Sequence, residues 1–507
     1  MNRPLDVLFI NADSATQSYQ GLAASYSAIE PPTWSLLLAQ SCRSKGFGVA
    51  ILDATAEGLS CEQAVARIGD IKPRLACFVV YGQNPNSGTA NMPGNLACCE
   101  LLKASHPDIQ TCFVGSHTSA LPLEVLSLPF VDVVLLNEGV YALHNLLRTD
   151  LVTDLNTVKG IGHKDGGAPM LNPPERVVPT ERMDADLPGY AWDLLPSRGK
   201  PLDLYRAHFW HAEYDHAKAT PFAAIYTSLG CRFKCDFCMI NIVNRIDNAV
   251  GIAASASPNM RFWSPAFVLG EIEKLAGMGV ETLRISDEMF FLDKRYFEPL
   301  LQGIVERQIN IRTWSYARVD TVRKRYLELF RAAGVRWLGI GVEAANQHIR
   351  REVSKGSFED VDIRDVVASI RDADINVGAN YIFGFPDDTF DTMQQTLDLA
   401  LELCTEFANF YPCHALPGSP LYYEAKANGW KLPDTYSGYA FLSYDCDPLP
   451  TKYLTAADVL RFRDAAWQKY FTNEPYLELV ERRFGAVQRA NVQELSKVRL
   501  KRRILGD

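Results

Sequence analysis

Residues 223–240 read AAIYTSLGCRFKCDFCMI: a short, β-rich apolar run ends in a loop that packs Cys231, Cys235 and Cys238 into eight residues. The same run opens a series. After AAIYTS (223–228) come TLRIS (282–286), IRTWSY (311–316), RWLGIGV (336–342), INVGANYIF (375–383) and FANFYPC (407–413), all strand-like. Between them lie helical patterns: FVLGEIEKLAGMG, RYFEPLLQGIVERQ, RYLELFRAAG, DIRDVVASIRDA and FDTMQQTLDLALELC. Six strand–helix units at roughly thirty-residue spacing predict a partial (β/α)6 barrel of the TIM type over residues 220–430. Its functional residues are expected at the carboxyl ends of the strands, and the three cysteines follow the first strand.

Upstream, strand and helix also alternate. DVLFI (6–10), VAILD (49–53), LACFVVY (75–81), TCFVG (111–115) and VDVVLL (131–136) are separated by helical stretches such as PTWSLLLAQSCRSKG, NMPGNLACCELLKASH and LPLEVLSL. Continuous apolar strands alternating with helices call for a parallel sheet covered on both faces. Residues 1–150 are therefore expected to form a doubly wound, Rossmann-like α/β domain. The polar loops NADSATQ, YGQNPNSGT, GSHTSA and NEG follow its strand ends, where ligands bind in open α/β sheets. No G-x-G-x-x-G turn follows the first strand, which argues against NAD. Residues 151–219 are rich in Pro and Gly and read as an interdomain linker. Within it, HFWHAEYDH carries three histidines and two acids but no metal-specific spacing, so it reads as a bridging loop. Residues 431–507 have little strand character, and AADVLRFRDAAWQKYF has the spacing of an amphipathic helix, so a small helical C-terminal extension is expected.

The chain has 507 residues, 47% hydrophobic and 22% charged, which excludes disordered and fibrous classes. Acids outnumber bases 60 to 51, for a net charge of −9, so there is no electrostatic case for nucleic acid. Only the tail, KVRLKRRILGD, is locally basic, and it reads as the solvated face of a terminal helix. No apolar run approaches the roughly 18–20 residues of a membrane span, and MNRPLDVLFINAD lacks a signal-peptide pattern. A cytoplasmic location is expected, where thiols stay reduced and close-spaced cysteines bind metal more often than they pair.

Structural zinc takes four tetrahedral ligands, and no second Cys-x-x-Cys or suitably spaced His pair follows, so zinc fits poorly. A four-iron cluster has one outer coordination site on each iron, and three thiolates leave the fourth iron open to an exogenous ligand. The missing protein ligand is then the functional position.

Cys231-x-x-x-Cys235-x-Phe237-Cys238 resembles the signature of the radical SAM superfamily, Cx3CxφC with φ aromatic. The resemblance implies that the cysteines hold a 4Fe-4S cluster and that Phe237 lies beside the adenine of S-adenosylmethionine. Where the family has an acidic motif for the amino group, after the second strand, this chain has Ser286-Asp287-Glu288. That departs from the usual Gly-Gly-Glu and leaves open which acid makes the contact. Arg318, in SYARVDT, matches a position that holds the methionine carboxylate in related enzymes. Gly341-Val-Glu343-Ala-Ala-Asn346 resembles the family's ribose segment, with Ala344 in place of its first serine; Asn380 and Gly384-Phe-Pro-Asp-Asp-Thr resemble the segment near the adenine.

A Rossmann-like domain of this length before such a barrel resembles the cobalamin (B12)-binding class. The stretches that carry the likeness are VLFINAD, EPPTWSLLLAQSCRSKG before VAILDA, FVGSHTSALP with Ser116, and VVLLNEGV with Glu138. The D-x-H-x-x-G pattern is absent, and neither His117 nor His144 sits in one. The loop YGQNPNSGT, with Gln83 and Asn84, is instead expected to meet the lower face of cobalamin.

The resemblance implies a class B radical SAM methyltransferase. A reduced cluster passes one electron to S-adenosylmethionine, giving methionine and a 5′-deoxyadenosyl radical. That radical takes a hydrogen from an unactivated carbon of a small-molecule, lipid or natural-product substrate, and methylcobalamin supplies the methyl group. An electron donor such as flavodoxin or ferredoxin is the implied partner. The same architecture supports ring formation, rearrangement or aminocarboxypropyl transfer without net methylation. RNA-modifying methylthiotransferases share the signature but place three further cysteines in the first domain, whereas Cys42, Cys61, Cys77, Cys98, Cys99 and Cys112 mostly fall in apolar runs. A sensor that only binds corrin or cluster would release no 5′-deoxyadenosine. Tyr411, Cys413 and His414, before PGSPLYYEAK, are candidates for substrate contact.

Overall fold

The computed structural model describes residues 5–246, 253–254, 259–352 and 361–507. The first sheet is built from β1 (Val7–Asn11), β2 (Val49–Asp53), β3 (Leu75–Val80), β4 (Gln110–Gly115), β5 (Val133–Leu135), β6 (Ile161–Asp165) and β7 (Ala168–Leu171). Its order is β2-β1-β3-β4-β5-β6-β7, parallel through β5 and antiparallel beyond it. Alternate strand residues feed two cores. Leu8, Phe78 and Phe113 pack with the helices Cys61–Ile71 and Met92–Ser105, while Phe9, Cys77 and Cys112 pack with the helix Thr33–Ser44. This two-sided burial is why the strands read as unbroken apolar runs. Cys42, Cys77, Cys98, Cys99 and Cys112 are all buried in these cores.

Strands β6 and β7 lie inside the stretch read as a linker. They are joined by Gly166 and Gly167, both at positive φ, as a tight two-residue hairpin requires.

The second half begins with β8 (Phe222–Ile225), followed by β9 (Ser228–Cys231), β10 (Asn259–Phe262), β11 (Thr282–Ile285), β12 (Arg312–Arg318), β13 (Val335–Glu343), β14 (Asn376–Phe383) and β15 (Phe407–Pro412). Six of these form one parallel sheet, β8-β11-β12-β13-β14-β15, in simple sequence order. That is a half-barrel, and it places every strand's carboxyl end on one rim. The segment HFWHAEYDH closes the opposite end: the Trp210 ring stacks 5.1 Å from Trp314 and 4.8 Å from Phe407. Strands β9 and β10 pair separately as an antiparallel ribbon, so Cys231 ends a strand rather than standing in a loop. Gly230 makes the ribbon possible: at φ +88°, a Cβ there would lie 2.1 Å from the Asn259 carbonyl oxygen.

The helices Ala456–Phe471, Glu474–Phe484 and Ala486–Ser496 cover the outer strand; Tyr470 donates to the Thr405 carbonyl and Arg463 to that of Phe410. The basic tail departs from its reading as a solvated helix face. The last α-helix stops at Ser496, and Arg502 is fully buried because Asp464 takes its guanidinium at 2.9 Å through both oxygens. Among the described residues no helix is long and apolar enough to cross a membrane.

The two sheets are held together by charged and backbone contacts. Arg206 donates to the carbonyls of Ala23, Ala24 and Ser27, and Arg284 on β11 pairs with Glu30 at 2.7 Å.

Candidate active site

Asp287, just past β11, fixes the corner from which the cysteines depart. It accepts from the Thr227 amide and hydroxyl, each at 2.6 Å, and from the Ser228 hydroxyl at 2.5 Å. Asn241 then clamps the backbone of Cys231, accepting from its amide at 2.9 Å and donating to its carbonyl at 2.8 Å. The Arg318 guanidinium lies 3.7 Å over the Phe233 ring and is held by both oxygens of Asp320, each at 2.9 Å. The far end of the loop is held by the first domain. Asn86 accepts from the Met239 amide at 3.0 Å, and its Nδ2 lies 3.8 Å from Cys238 Sγ.

Between the carboxyl ends of the two sheets lies a cavity of about 370 Å³. From the barrel side it is lined by Phe237, Glu288, Arg318, Glu343 and Asn380, and from the first domain by Gln83 and Asn84. Tyr411, Cys413 and His414 also face it. Two residues show how the backbone aims side chains here. Glu343 stands at φ +64°, where β13 slips register against β14, a conformation costly for a residue with a Cβ. Asn380 donates to the Ile340 carbonyl at 3.2 Å and accepts from Asn409 at 2.9 Å, which locks its amide.

Four residues expected at the cofactors lie in the walls instead. Ser286 and Asp287 are each 1% exposed, with Asp287 committed to the Thr227–Ser228 corner. Glu288 is therefore the acid of that motif on the cavity. Ser116 is buried and donates to the Pro85 carbonyl at 2.6 Å, bracing the loop that carries Gln83 and Asn84. Glu138 is buried in an ion pair with Arg261 at 2.7 Å and accepts from the Val178 amide, tying the first sheet to β10. Strand-end position alone does not separate a side chain facing the ligand from its neighbour facing the wall. The two histidines outside a cobalt-binding pattern are also engaged: His117 with Thr89 at 3.0 Å and His144 with Ser41 at 3.1 Å. Asn86 and Asn241 were missed, since neither belongs to a spaced motif.

The electrostatics of the site suit uncharged ring groups and a metal-hungry loop. Burial pushes the Tyr19 and Tyr316 phenols up to about 12 and the His414 imidazole down to about 4, so all three are neutral near pH 7. Burial raises Asp287 to about 6 against the pull of its hydrogen bonds. The Cys238 thiol is pushed well up, first by burial and then by Cys235, Glu288 and Cys231. Among the described residues no three metal-ligand side chains converge on one point, so the thiols share a loop and an electrostatic neighbourhood without closing on a common centre. Three sulfur donors on one loop, with the Cys238 thiol raised by burial and by its neighbours, are a donor set that binding to iron would satisfy. The amides and hydroxyls on the opposite side, from Gln83, Asn84, Asn86, Ser87 and Asn91, match the amide-bearing rim of a corrin.

The radical SAM superfamily matches residues 225–400 and the B12 binding domain matches residues 19–147. The chain belongs to the radical SAM enzymes that carry a B12 binding domain, a class that works with a 4Fe-4S cluster, S-adenosylmethionine and cobalamin. It is 23% identical over 451 residues to an uncharacterized methyltransferase of Pyrococcus horikoshii, covering 87% of this chain and 88% of that one. It is 23% identical over 463 residues to the anaerobic magnesium-protoporphyrin IX monomethyl ester cyclase of Cereibacter sphaeroides, covering 87% of this chain and 67% of the other. Its fold is that of the radical S-adenosylmethionine methyltransferase TsrM from Kitasatospora setae, solved with cobalamin and a 4Fe-4S cluster bound. There the TM-score is 0.65 at 16% identity, over 97% of this chain and 100% of that one.

Proposed function

We propose that this protein is a cobalamin-dependent radical SAM methyltransferase that methylates an unactivated carbon of a small-molecule or lipid substrate. The observation that carries the reading is the cavity onto which both carboxyl-end rims face, with Phe237, Glu288, Arg318, Glu343 and Asn380 on one side and Gln83 and Asn84 on the other. Cys231, Cys235 and Cys238 would hold the cluster. The cluster, S-adenosylmethionine and cobalamin supply the radical and methyl-transfer chemistry when bound.

The chain's own residues bind and orient. Glu288 would accept from the amino group of S-adenosylmethionine, and Arg318, held in place by Asp320, would face its carboxylate. Glu343 would receive the ribose hydroxyls, while Phe237 and the locked amide of Asn380 would border the adenine. Gln83 and Asn84, braced by Ser116 beneath their loop, would meet the corrin. Tyr19, Tyr316 and His414, kept neutral by burial, present uncharged hydrogen-bonding groups to the cavity. In this reading residues 1–150 and 220–430 are the two working units, 151–219 joins them, and 431–507 covers the barrel. A flavodoxin or ferredoxin serves as electron donor.

The cyclase likeness over 87% of the chain favours one second reading, ring formation without net methylation. Anaerobic reconstitution with iron, sulfide and cobalamin, followed by reduction in the presence of methyl-labelled S-adenosylmethionine, separates the two. Label on the bound corrin together with 5′-deoxyadenosine release supports methyl transfer. Release of 5′-deoxyadenosine with no label on the corrin refutes it in favour of the cyclase-like chemistry.

A further inference from the structure

A second chamber, of about 240 Å³, adjoins the site cavity and shares Tyr19, Gln83, Tyr316, Tyr411 and Phe441 with it. It runs from that shared wall to the surface, where half-buried Trp467, Gln468 and Val498 and exposed Arg499 form its mouth. Its walls are rings: Tyr316 from β12, Tyr411 from β15, Phe441 and Trp467, together with Trp314 and Phe407, which are already stacked on Trp210. Such walls offer flat apolar faces against which another ring can stack.

The chamber carries a buried cation. Arg463 lines it while only 3% exposed. Its Nε donates to the Phe410 carbonyl at 2.6 Å and its Nη1 to Asp464 at 2.8 Å, and its Nη2 makes no hydrogen bond within the described chain. Asp464 is already shared: Arg502, fully buried, donates to both of its oxygens at 2.9 Å. Arg463 thus shares its only carboxylate partner with Arg502, which also has the Asp507 carboxylate beside it, on its own amide at 2.7 Å. Burial lowers the pKa of Arg463 below the ordinary arginine value, as expected of a cation short of counter-charge. Arg499 adds a further cation at the mouth, and it belongs to the basic tail that the catalytic reading leaves unused.

We infer that this chamber binds the substrate as an organic anion: a planar aromatic body lies between the rings, and a carboxylate pairs with Arg463. The inference rests on the proposed catalytic reading only in calling the ligand a substrate; the binding itself is independent of it. A carboxylate would complete the arginine's unused donor and give it a counter-ion not shared with Arg502, whereas a neutral ring of the same size would do neither.

The test uses the full-length protein and calorimetric titration with 1-naphthaleneacetate and its neutral counterpart 1-naphthaleneethanol. The acid is expected to bind at one site about tenfold or more tightly than the alcohol. Arg463→Met should erase that preference, and Trp467→Ala should weaken both probes while keeping it. Absence of saturable acid binding, equal binding of acid and alcohol by the unaltered protein, or an acid preference that survives in folded Arg463→Met each overturns the proposal. If Arg463→Met does not fold, the comparison of the two probes on the unaltered protein decides. 5′-Deoxyadenosine release by the reduced, reconstituted protein without added substrate is measured in parallel. Its failure would count against the catalytic reading and leave the binding result standing.

Discussion

Glu30→Gln is expected to loosen the whole molecule although it lies outside the cofactor machinery. The Arg284 side chain is 1% exposed and that of Glu30 8%, and Nη1 of the arginine stands 2.7 and 2.8 Å from the two carboxylate oxygens. Burial alone would push the Glu30 carboxyl up and the Arg284 guanidinium down. Their attraction, joined at Glu30 by His208 at 3.6 Å, outweighs it in both cases, holding the acid below and the base above its ordinary value. At this separation the attraction is about 6 kcal/mol for an effective dielectric constant of about 20. Desolvating both ions takes back most of it, so the pair is worth little net, but breaking it strands a buried cation against the rings of Trp314 and Tyr316. The expected loss for Glu30→Gln is about 3–5 kcal/mol. Adding Arg284→Met removes both charges at similar volume and should recover most of it. Guanidinium unfolding followed by the summed fluorescence of the eight tryptophans, Trp314 at 4.7 Å from the guanidinium among them, measures this. A loss below about 1 kcal/mol, or a double variant no more stable than Glu30→Gln, would refute the reasoning.

Asp287→Asn removes an acceptor from the corner that launches the cysteine loop, costing about 1.5–3 kcal/mol locally, and should lower iron uptake on anaerobic reconstitution. Glu288→Gln should leave iron content unchanged and weaken S-adenosylmethionine binding about tenfold; equal iron loss in both variants would undo the division between the two acids. Glu343→Gly relieves a left-handed backbone and should stabilise the protein by about 1 kcal/mol while weakening cofactor binding, so a destabilised variant would speak against strain at this position. His144 is 3% exposed, and burial holds its imidazole at about 4 instead of 6.5. Its contribution to stability is therefore complete above pH 6.5 and is lost as pH falls toward 4, by about 3 kcal/mol. His144→Gln should flatten that acid limb in urea midpoints measured across the window, and an unchanged slope would contradict the shift.

What the sequence made legible follows from burial. Strands covered on both faces, such as Leu75–Val80, cannot carry polar residues and so announce themselves, and AADVLRFRDAAWQKYF coincides with the helix Ala456–Phe471. The hairpin of β6 and β7 was hidden because edge strands tolerate Pro169 and Lys164; only the Asp165-Gly-Gly turn signalled it. The basic tail misled because net charge in a short window says nothing of an acid 38 residues away, and Asp464 draws Arg502 inside. At the site, chemistry that needs fixed spacing was readable, as in the cysteine triplet. Groups that act by contact across the fold, such as Asn86 on the Met239 amide, leave no local pattern.

That last contact also bears on how freely such domains can be exchanged. The amide of Met239, next to the last cysteine, finds its acceptor on a loop laid down some 150 residues earlier in the other half of the chain. A chimera that kept the barrel and swapped the first domain would inherit a cysteine loop missing one wall, unless the graft also presented an acceptor where Asn86 stands. Modules of this kind are therefore interchangeable only in matched pairs, and at the cysteine loop the matching rests on an amide side chain, just as elsewhere it rests on the Arg284–Glu30 and Arg261–Glu138 pairs.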